Sequence, residues 1–267
     1  MAKFTDKVIV VTGASEGIGR ALCLALAPQR PRLVLAARNE GRLHELKTEV
    51  EGKGARALVV PTDVTREEAC ERLIRTTIEE WDCLDVLVNN AGADMWTLFE
   101  DVTDTSIFEK IMRLNYLGCV YCTYYALPYL KRARGLIVAV SSVAGLTGVP
   151  TQTGYAASKH ALFGFFESLR IELEGTGVGV TIIAPDFVLS EIHRRSLGGD
   201  GKPLGKSPMQ EGKIMTAERC AALIVGAMEK RQRLLLTSAR AKLGRWVRMF
   251  SPRFIDYVAK KAVREGK

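Results

Sequence analysis

The sequence predicts an α/β fold, a doubly wound parallel sheet with helices on both faces. Three observations lead there. Short unbroken runs rich in Val, Ile and Leu alternate along the chain with stretches of helical spacing. Strands buried on both faces read as continuous apolar runs, and parallel sheets are where strands are buried that way. A glycine-rich turn follows the first run, and small or amide residues follow a later one, at strand ends where such sheets bind ligands.

The first run is Lys7–Thr12, turning at once into Gly13-Ala14-Ser15-Glu16-Gly17-Ile18-Gly19 and a helix that ends before Pro28. Strand, glycine turn and helix together suit a dinucleotide. Backbone N–H groups at the helix start face a pyrophosphate, and bulky side chains would block its approach. The second strand, Leu33–Ala36, ends in Ala37-Arg38-Asn39. An acid at this place selects a ribose 2′-hydroxyl, whereas an arginine accommodates a 2′-phosphate. With Arg38 and no acid, the sequence favours NADP(H) over NAD(H), against the plainer reading of an arginine capping a strand end in solvent.

A helix over Leu43–Glu51 and a strand over Ala57–Val60 lead to Thr62-Asp63-Val64, where Asp63 serves either an adenine amine or an ordinary turn. After a helix ending near Trp81, strand Asp85–Val88 delivers Asn89-Asn90-Ala91-Gly92 to another carboxyl end. The spacing then predicts one long helix over Phe108–Leu130, carrying Asn115 and a tyrosine-rich face. Strand Gly135–Val140 ends at Ser142, and a helix follows with Tyr155 and Lys159 four apart. Residues at i and i+4 share a face, so the Lys159 ammonium is expected to lower the Tyr155 phenol from its usual value of about 10. A phenol so tuned suits general acid/base work on a carbonyl or hydroxyl oxygen, and Ser142 can donate to the same oxygen. Taken alone, a Tyr-x-x-x-Lys pair is usually no more than a helix face.

Taken together, TGASEGIG, NNAG, Asn115, Ser142 and Tyr155-x-x-x-Lys159 resemble the short-chain dehydrogenase/reductase family, in order and spacing from about Lys7 to Ser190. The resemblance implies a single-domain Rossmann fold with a seven-stranded parallel sheet. It implies Tyr155 as acid/base, Ser142 orienting the carbonyl, Lys159 on the nicotinamide ribose and Asn115 supporting a water in a proton relay. It places Gly13, Ser15, Gly17, Ile18 and Gly19 at the pyrophosphate, Arg38 and Asn39 at the adenosine ribose, and Asp63 and Val64 at the adenine. Asn90, Ala91 and Gly92 fall on the cofactor ribose side. Val188 and Ser190 match a backbone amide and a hydroxyl at the nicotinamide end. The chain departs from the family at Asp186, where glycine is usual after Pro185; this puts in question the nicotinamide pocket or the substrates that pass the new carboxylate. The helices bearing Asn115 and Tyr155 imply a homodimer or homotetramer.

The strand Val178–Ile183 precedes that departure. Ser196–Lys213, rich in glycine and without apolar period, reads as a mobile loop; the resemblance places it over the substrate as a lid that orders on binding, against the plainer reading of a surface excursion. Helix Ala217–Lys230 and strand Leu234–Thr237 complete a catalytic domain of residues 1–239.

Residues 240–267 form a basic extension, with nine Lys/Arg against two Asp/Glu, out of a net charge of +8 for the whole chain. Leu243, Trp246, Val247 and Phe250 fall on one helical stripe, and a second helix is expected over Arg253–Arg264. Such a pair either packs on its own domain or a partner, or touches a membrane surface peripherally. No recognition motif points to specific nucleic acid. No apolar run approaches the roughly 18–20 residues of a bilayer span, and no signal peptide precedes the first strand, so a cytoplasmic location is expected. The six cysteines are scattered, and Cys119-Val120-Tyr121-Cys122 lies mid-helix, which favours a buried face over redox or zinc chemistry. The three histidines lack metal-ligand spacing, so no metal is assigned. The expected activity is NADP(H)-dependent interconversion of a ketone or aldehyde and an alcohol, on a hydrophobic steroid-, retinoid- or lipid-like substrate. A 3-oxoacyl thioester or small-carbonyl reductase is the alternative within that chemistry. A non-catalytic cofactor-binding scaffold with a docking tail is the alternative outside it.

Overall fold

A computed structural model describes residues 3–189, 194–206 and 214–264. Seven parallel strands lie in the order β3-β2-β1-β4-β5-β6-β7. They are β1 (Val8–Thr12), β2 (Arg32–Ala37), β3 (Arg56–Pro61), β4 (Val86–Asn89), β5 (Leu136–Val140), β6 (Gly179–Ala184) and β7 (Leu234–Leu236). The order reverses between β1 and β4, and an open parallel sheet leaves a crevice at the strand ends beside such a switch.

Alternate residues of each strand enter opposite cores. Ile9, Val11, Leu33 and Leu35 pack under α1 (Gly17–Leu26), α2 (Glu40–Glu51) and α7 (Ala217–Glu229). Val8, Val10, Val34 and Leu87 pack under α3 (Glu67–Trp81), α5 (Gly118–Ala133) and α6 (Thr153–Glu172). Both faces being covered is why these runs carry no polar alternation.

The predicted long helix is not uniform. It comprises α4 (Ser106–Met112), a π-helical turn over Arg113–Leu117 and then α5. The Gly118 N–H bonds to the Arg113 carbonyl, five residues back. One extra residue in the turn re-aims the side chains beyond it, a feature that recurs at functional sites and that helix propensities do not encode. Asn115 sits inside this turn and is fully buried.

The glycine-rich stretch also differs from its expectation. Its described part, 196–206, is stitched to residues 94–104 rather than standing free. Leu197 pairs with Met95, Trp96 N–H donates to the Leu197 carbonyl at 2.9 Å, and the Gly199 carbonyl accepts from Thr103 and Asp104. Leu197 joins a small cluster with Met95, Ile107 and Ile111, while residues 207–213 lie outside the described set. Two helices close the chain, α8 (Ala239–Phe250) and α9 (Pro252–Arg264). No helix among the described residues is long and apolar enough to cross a membrane.

Candidate active site

At the switch between β1 and β4 the two strand ends are pinned together. The Thr12 hydroxyl accepts from Asn90 N–H at 2.9 Å and Ala91 N–H at 3.1 Å. The Asn90 amide nitrogen donates to the Thr12 and Gly13 carbonyls. Asn90 therefore holds the glycine turn in place. Gly13 and Gly17 have φ of +66° and +55°, a region in which a side chain is strained. Glu16 precedes α1 without bonding its first turn, so the N–H groups of that turn face the cleft, as an anion requires.

A single cleft of about 510 Å³ runs from this turn to the phenol. Gly13, Ser15, Gly17, Ile18, Arg38, Asn39, Asp63 and Val64 line one end, and Asn90, Ala91, Gly92, Ser142, Tyr155, Lys159 and Val188 the other. Two of these side chains have local work. The Asn39 side-chain oxygen Oδ1 caps α2 by accepting from Arg42 N–H, and Asp63 accepts from the Thr65 N–H and hydroxyl. Gly19 lies beneath the turn rather than on the wall. Ser190 falls outside the described residues.

The reactive end is built by β5, the π turn and α6. Lys159 is buried, donates to the Val140 carbonyl at 3.0 Å and lies 5.5 Å from the centre of the Tyr155 ring. Gly92 leaves room there, because a Cβ on it would sit 3.1 Å from Asn115 Oδ1 and 3.6 Å from Lys159 Nζ. The Asn115 amide spends both hydrogens, on the Ala93 carbonyl and the Ser158 hydroxyl, and accepts from Ala93 N–H at 2.8 Å. Its side chain fixes the Gly92–Ala93 turn, with no hydrogen left to give a water.

The expectation that Lys159 lowers the Tyr155 pKa is reversed. The phenol is pushed well above its usual range, first by burial and then by the Asp94 carboxylate, with a hydrogen bond from Ser142 opposing both. Helical spacing fixed the proximity of the pair but not where the ammonium points, which is to Val140. Burial also lowers the Lys159 pKa, with Cys119 and Asp94 acting against it.

Asp94 was not foreseen from the sequence. It is buried, and both its oxygens accept from the Gln152 amide nitrogen, at 3.1 and 3.0 Å, with the Ser196 hydroxyl at 3.3 Å from one of them. One carboxylate thus joins the turn after β4, the segment 196–206 and the start of α6. A lone acid after NNAGA carries no motif, so nothing in the sequence singled it out.

Glu16 escaped notice for the same reason. It pairs with Arg42 at 2.7 Å and Arg195 at 2.6 Å, which ties the glycine turn to a segment 179 residues away. The departure at Asp186 also resolves. Asp186 is not among the residues with positive φ, so no glycine is required there. Its carboxylate turns to the C-terminal segment, accepting from the Ser238 hydroxyl at 2.6 Å and Arg240 at 2.8 Å. Cys119 and Cys122 are buried thiols inside α5, with Cys119 pushed up to about 12 by burial.

Comparison with known proteins agrees with this architecture. The family described as short chain dehydrogenase matches residues 7–198. An "11-beta-hydroxysteroid dehydrogenase" of Pinus massoniana is 38% identical over 94% of this chain and 72% of its own. A "Dehydrogenase/reductase SDR family protein 7-like" of Dictyostelium discoideum is 33% identical over 97% of this chain and 83% of its own. Among solved structures, a short chain dehydrogenase/reductase from Burkholderia phymatum in complex with NAD superposes with a TM-score of 0.83, at 26% identity, over 95% of this chain and 96% of the other. An alcohol dehydrogenase of Thermococcus sibiricus complexed with 5-hydroxy-NADP gives 0.73 at 28% identity, over 86% and 95%. A doubly wound sheet, a glycine turn at its switch point and a tyrosine–lysine helix across the cleft all agree with these matches: the chain belongs to the short-chain dehydrogenase/reductase family and is an oxidoreductase acting on CH–OH or C=O groups.

Proposed function

We propose that this enzyme interconverts a ketone and a secondary alcohol on a hydrophobic, steroid-like substrate, with NADP(H) preferred over NAD(H). The observation that carries the reading is the continuous cleft from Arg38 to Tyr155, which brings a phenol and an anion-binding turn into one cavity. The bound nicotinamide supplies or accepts the hydride. The chain's own residues handle the proton. Tyr155 gives its proton to the carbonyl oxygen in reduction and takes it back in oxidation, and Ser142 donates a second hydrogen bond to the same oxygen. Lys159 would hold the ribose hydroxyls of the bound coenzyme, and Asn115 keeps the Gly92–Ala93 turn in place beside it. The catalytic unit of this reading spans residues 1–239, with the described part of the glycine-rich stretch, 196–206, beside the substrate and the helices α8 and α9 appended as an extension.

The raised phenol fits reduction, since Tyr155 then carries its proton throughout the neutral range. Oxidation needs the phenolate, so its rate rises only toward alkaline pH. Replacing Asp94 with Asn removes a negative charge that disfavours the phenolate. The alkaline rise of the oxidation rate is expected at lower pH in Asp94→Asn than in the parent, with stability reduced by about 1 kcal/mol through the altered bonds to Gln152. Profiles of kcat against pH for the two proteins make the test; coincident profiles would remove Asp94 from any electrostatic role.

Cofactor preference rests on the end of β2. Ala37 and Arg38 stand there, and among the described residues Arg38 has no ion-pair partner. The one nearby acid in the glycine turn, Glu16, is already paired with two arginines. Arg38→Ala is expected to weaken NADPH about tenfold, the loss of a charge-assisted contact, and NADH less than twofold. Titration of both coenzymes, with NADPH oxidation by a panel of hydrophobic ketones, checks coenzyme and substrate class together. Equal losses for the two coenzymes would overturn the assignment.

Leu114, Val149 and Phe187 line the cleft, and Leu98 and Phe99 are exposed on the segment bonded to 196–206. These, with relatives named as hydroxysteroid dehydrogenases, support an apolar substrate. Exposed Tyr124 on α5 and Ile171 on α6 support a homodimer or homotetramer through those helices. The same reading includes peripheral contact of α8 and α9 with a membrane surface.

A further inference from the structure

We propose that the outer face of α8 and α9 docks on an anionic lipid surface, and that Asp186 ties the docked pair to the loop walling the cofactor cleft. This rests on the membrane contact proposed above and gives it a lipid class, a face and a mechanical link. The two helices approach each other at Gly244 and Ile255, with Val247 and Val258 half-buried, while the larger apolar side chains of both stay exposed. Leu243 is 67% exposed, Trp246 64%, Phe250 85%, Phe254 54% and Tyr257 62%. Packing on the protein's own domain, one of the expectations from the sequence, accounts for none of these five, and α8 has no buried residue at all. A cluster of large apolar side chains of this kind on a soluble surface marks a binding face.

Charge decides the occupant. Lys242, Arg253 and Lys260 are exposed on the same two helices, Arg245 and Arg248 are exposed beside Leu146, and Asp256 is the one acid between Arg240 and Arg264. A second copy of the same face would bring like charges together. An anionic bilayer instead receives the aromatic side chains at its interface and the cations at its headgroups.

Asp186 makes this face part of the enzyme rather than an appended anchor. Its N–H donates to the Thr237 hydroxyl at 3.0 Å, and its carboxylate accepts from Ser238 and Arg240. Ser238 in turn accepts from Ala241 N–H, capping α8, and Arg240 lies 5.9 Å from the Phe187 ring. The first turn of the docking helix is thereby clamped to Asp186 and Phe187, which line the cleft. On its other side α8 borders Leu146, which continues the segment of Ser142 and Val143. Seating the pair in lipid holds this end of the cleft beside the bilayer, where an apolar ketone is concentrated.

The test uses the full chain and two vesicle compositions, phosphatidylcholine alone and phosphatidylcholine with roughly 30% phosphatidylglycerol. The parent is expected to co-sediment at least tenfold more with the anionic vesicles, less so at high salt, and the double variant Trp246→Glu, Phe250→Glu not to co-sediment. Arg240→Ala is expected to bind vesicles like the parent but to lose the fall in KM for a hydrophobic ketone that anionic vesicles give the parent. Failure to bind, or a parent dimer that the double variant dissociates, would overturn the lipid assignment. Binding with no change in KM would overturn the clamp alone. Sedimentation needs no turnover, so these outcomes stand apart from any failure of the proposed reaction.

Discussion

Tyr155→Phe is expected to lower kcat for ketone reduction by about 10²- to 10⁴-fold while coenzyme affinity stays within twofold of the parent. By the tenfold-per-1.4 kcal/mol rule this is roughly 3–5 kcal/mol of transition-state stabilisation, the scale of one well-placed proton donor. The substitution isolates that donor because the ring remains. Lys159 is held by the Val140 carbonyl and not by the phenol, and Asn115 has bonds of its own; Ser142 loses its hydrogen bond to the phenol but keeps the one it accepts from Ala144 N–H. Coenzyme titration and a melting curve on the variant confirm that cleft and fold persist. Ser142 alone then faces the developing oxyanion, a contribution of about 10²–10³ when such a donor is removed elsewhere. Turnover by Tyr155→Phe equal to the parent's would end the proposed mechanism.

The central strands of this fold were legible because they are buried on both faces, which leaves their apolar runs unmixed with polar residues, and the edge strands β3 and β7 are apolar though only partly buried. The glycine turn was legible because its neighbours in sequence are also its neighbours in space. Features that were not legible share a different origin. The π turn around Asn115 adds one residue to a helical repeat without changing composition. Asp94 meets Gln152 across 58 residues, Asp186 meets Arg240 across 54, and Glu16 meets Arg195 across 179. No local pattern predicts such pairs, and all three border the cleft. The misread sign of the Tyr155 shift belongs here too. Spacing along a helix gives distance to a charge, whereas burial depends on everything else that folds over the residue.

Gly19→Ala tests how tightly the glycine turn is built, and its expected outcome is loss of coenzyme binding by tenfold or more together with a lower melting temperature. Gly19 has ordinary backbone angles, so strain in φ is not the reason. A Cβ on it would lie 2.3 Å from the Gly13 carbonyl oxygen and 2.6 Å from the Asn90 amide nitrogen. Both are fixed, the first by a left-handed backbone and the second by its bonds to Thr12 and Gly13. The new methyl must therefore push the turn away from β4, which moves the α1 N–H groups that face the cleft. Overpacking of this kind costs about 1–3 kcal/mol, or roughly 2–12 °C for a domain of this size. Gly226, in α7, is the matched control, because a Cβ there meets nothing within 4 Å. Alanine at that helical position is expected to raise stability by about 0.4–1 kcal/mol and leave coenzyme binding unchanged. Differential scanning fluorimetry with and without NADPH reads both variants. Equal behaviour of the two alanines would mean that the turn has slack the close contact with Gly13 denies.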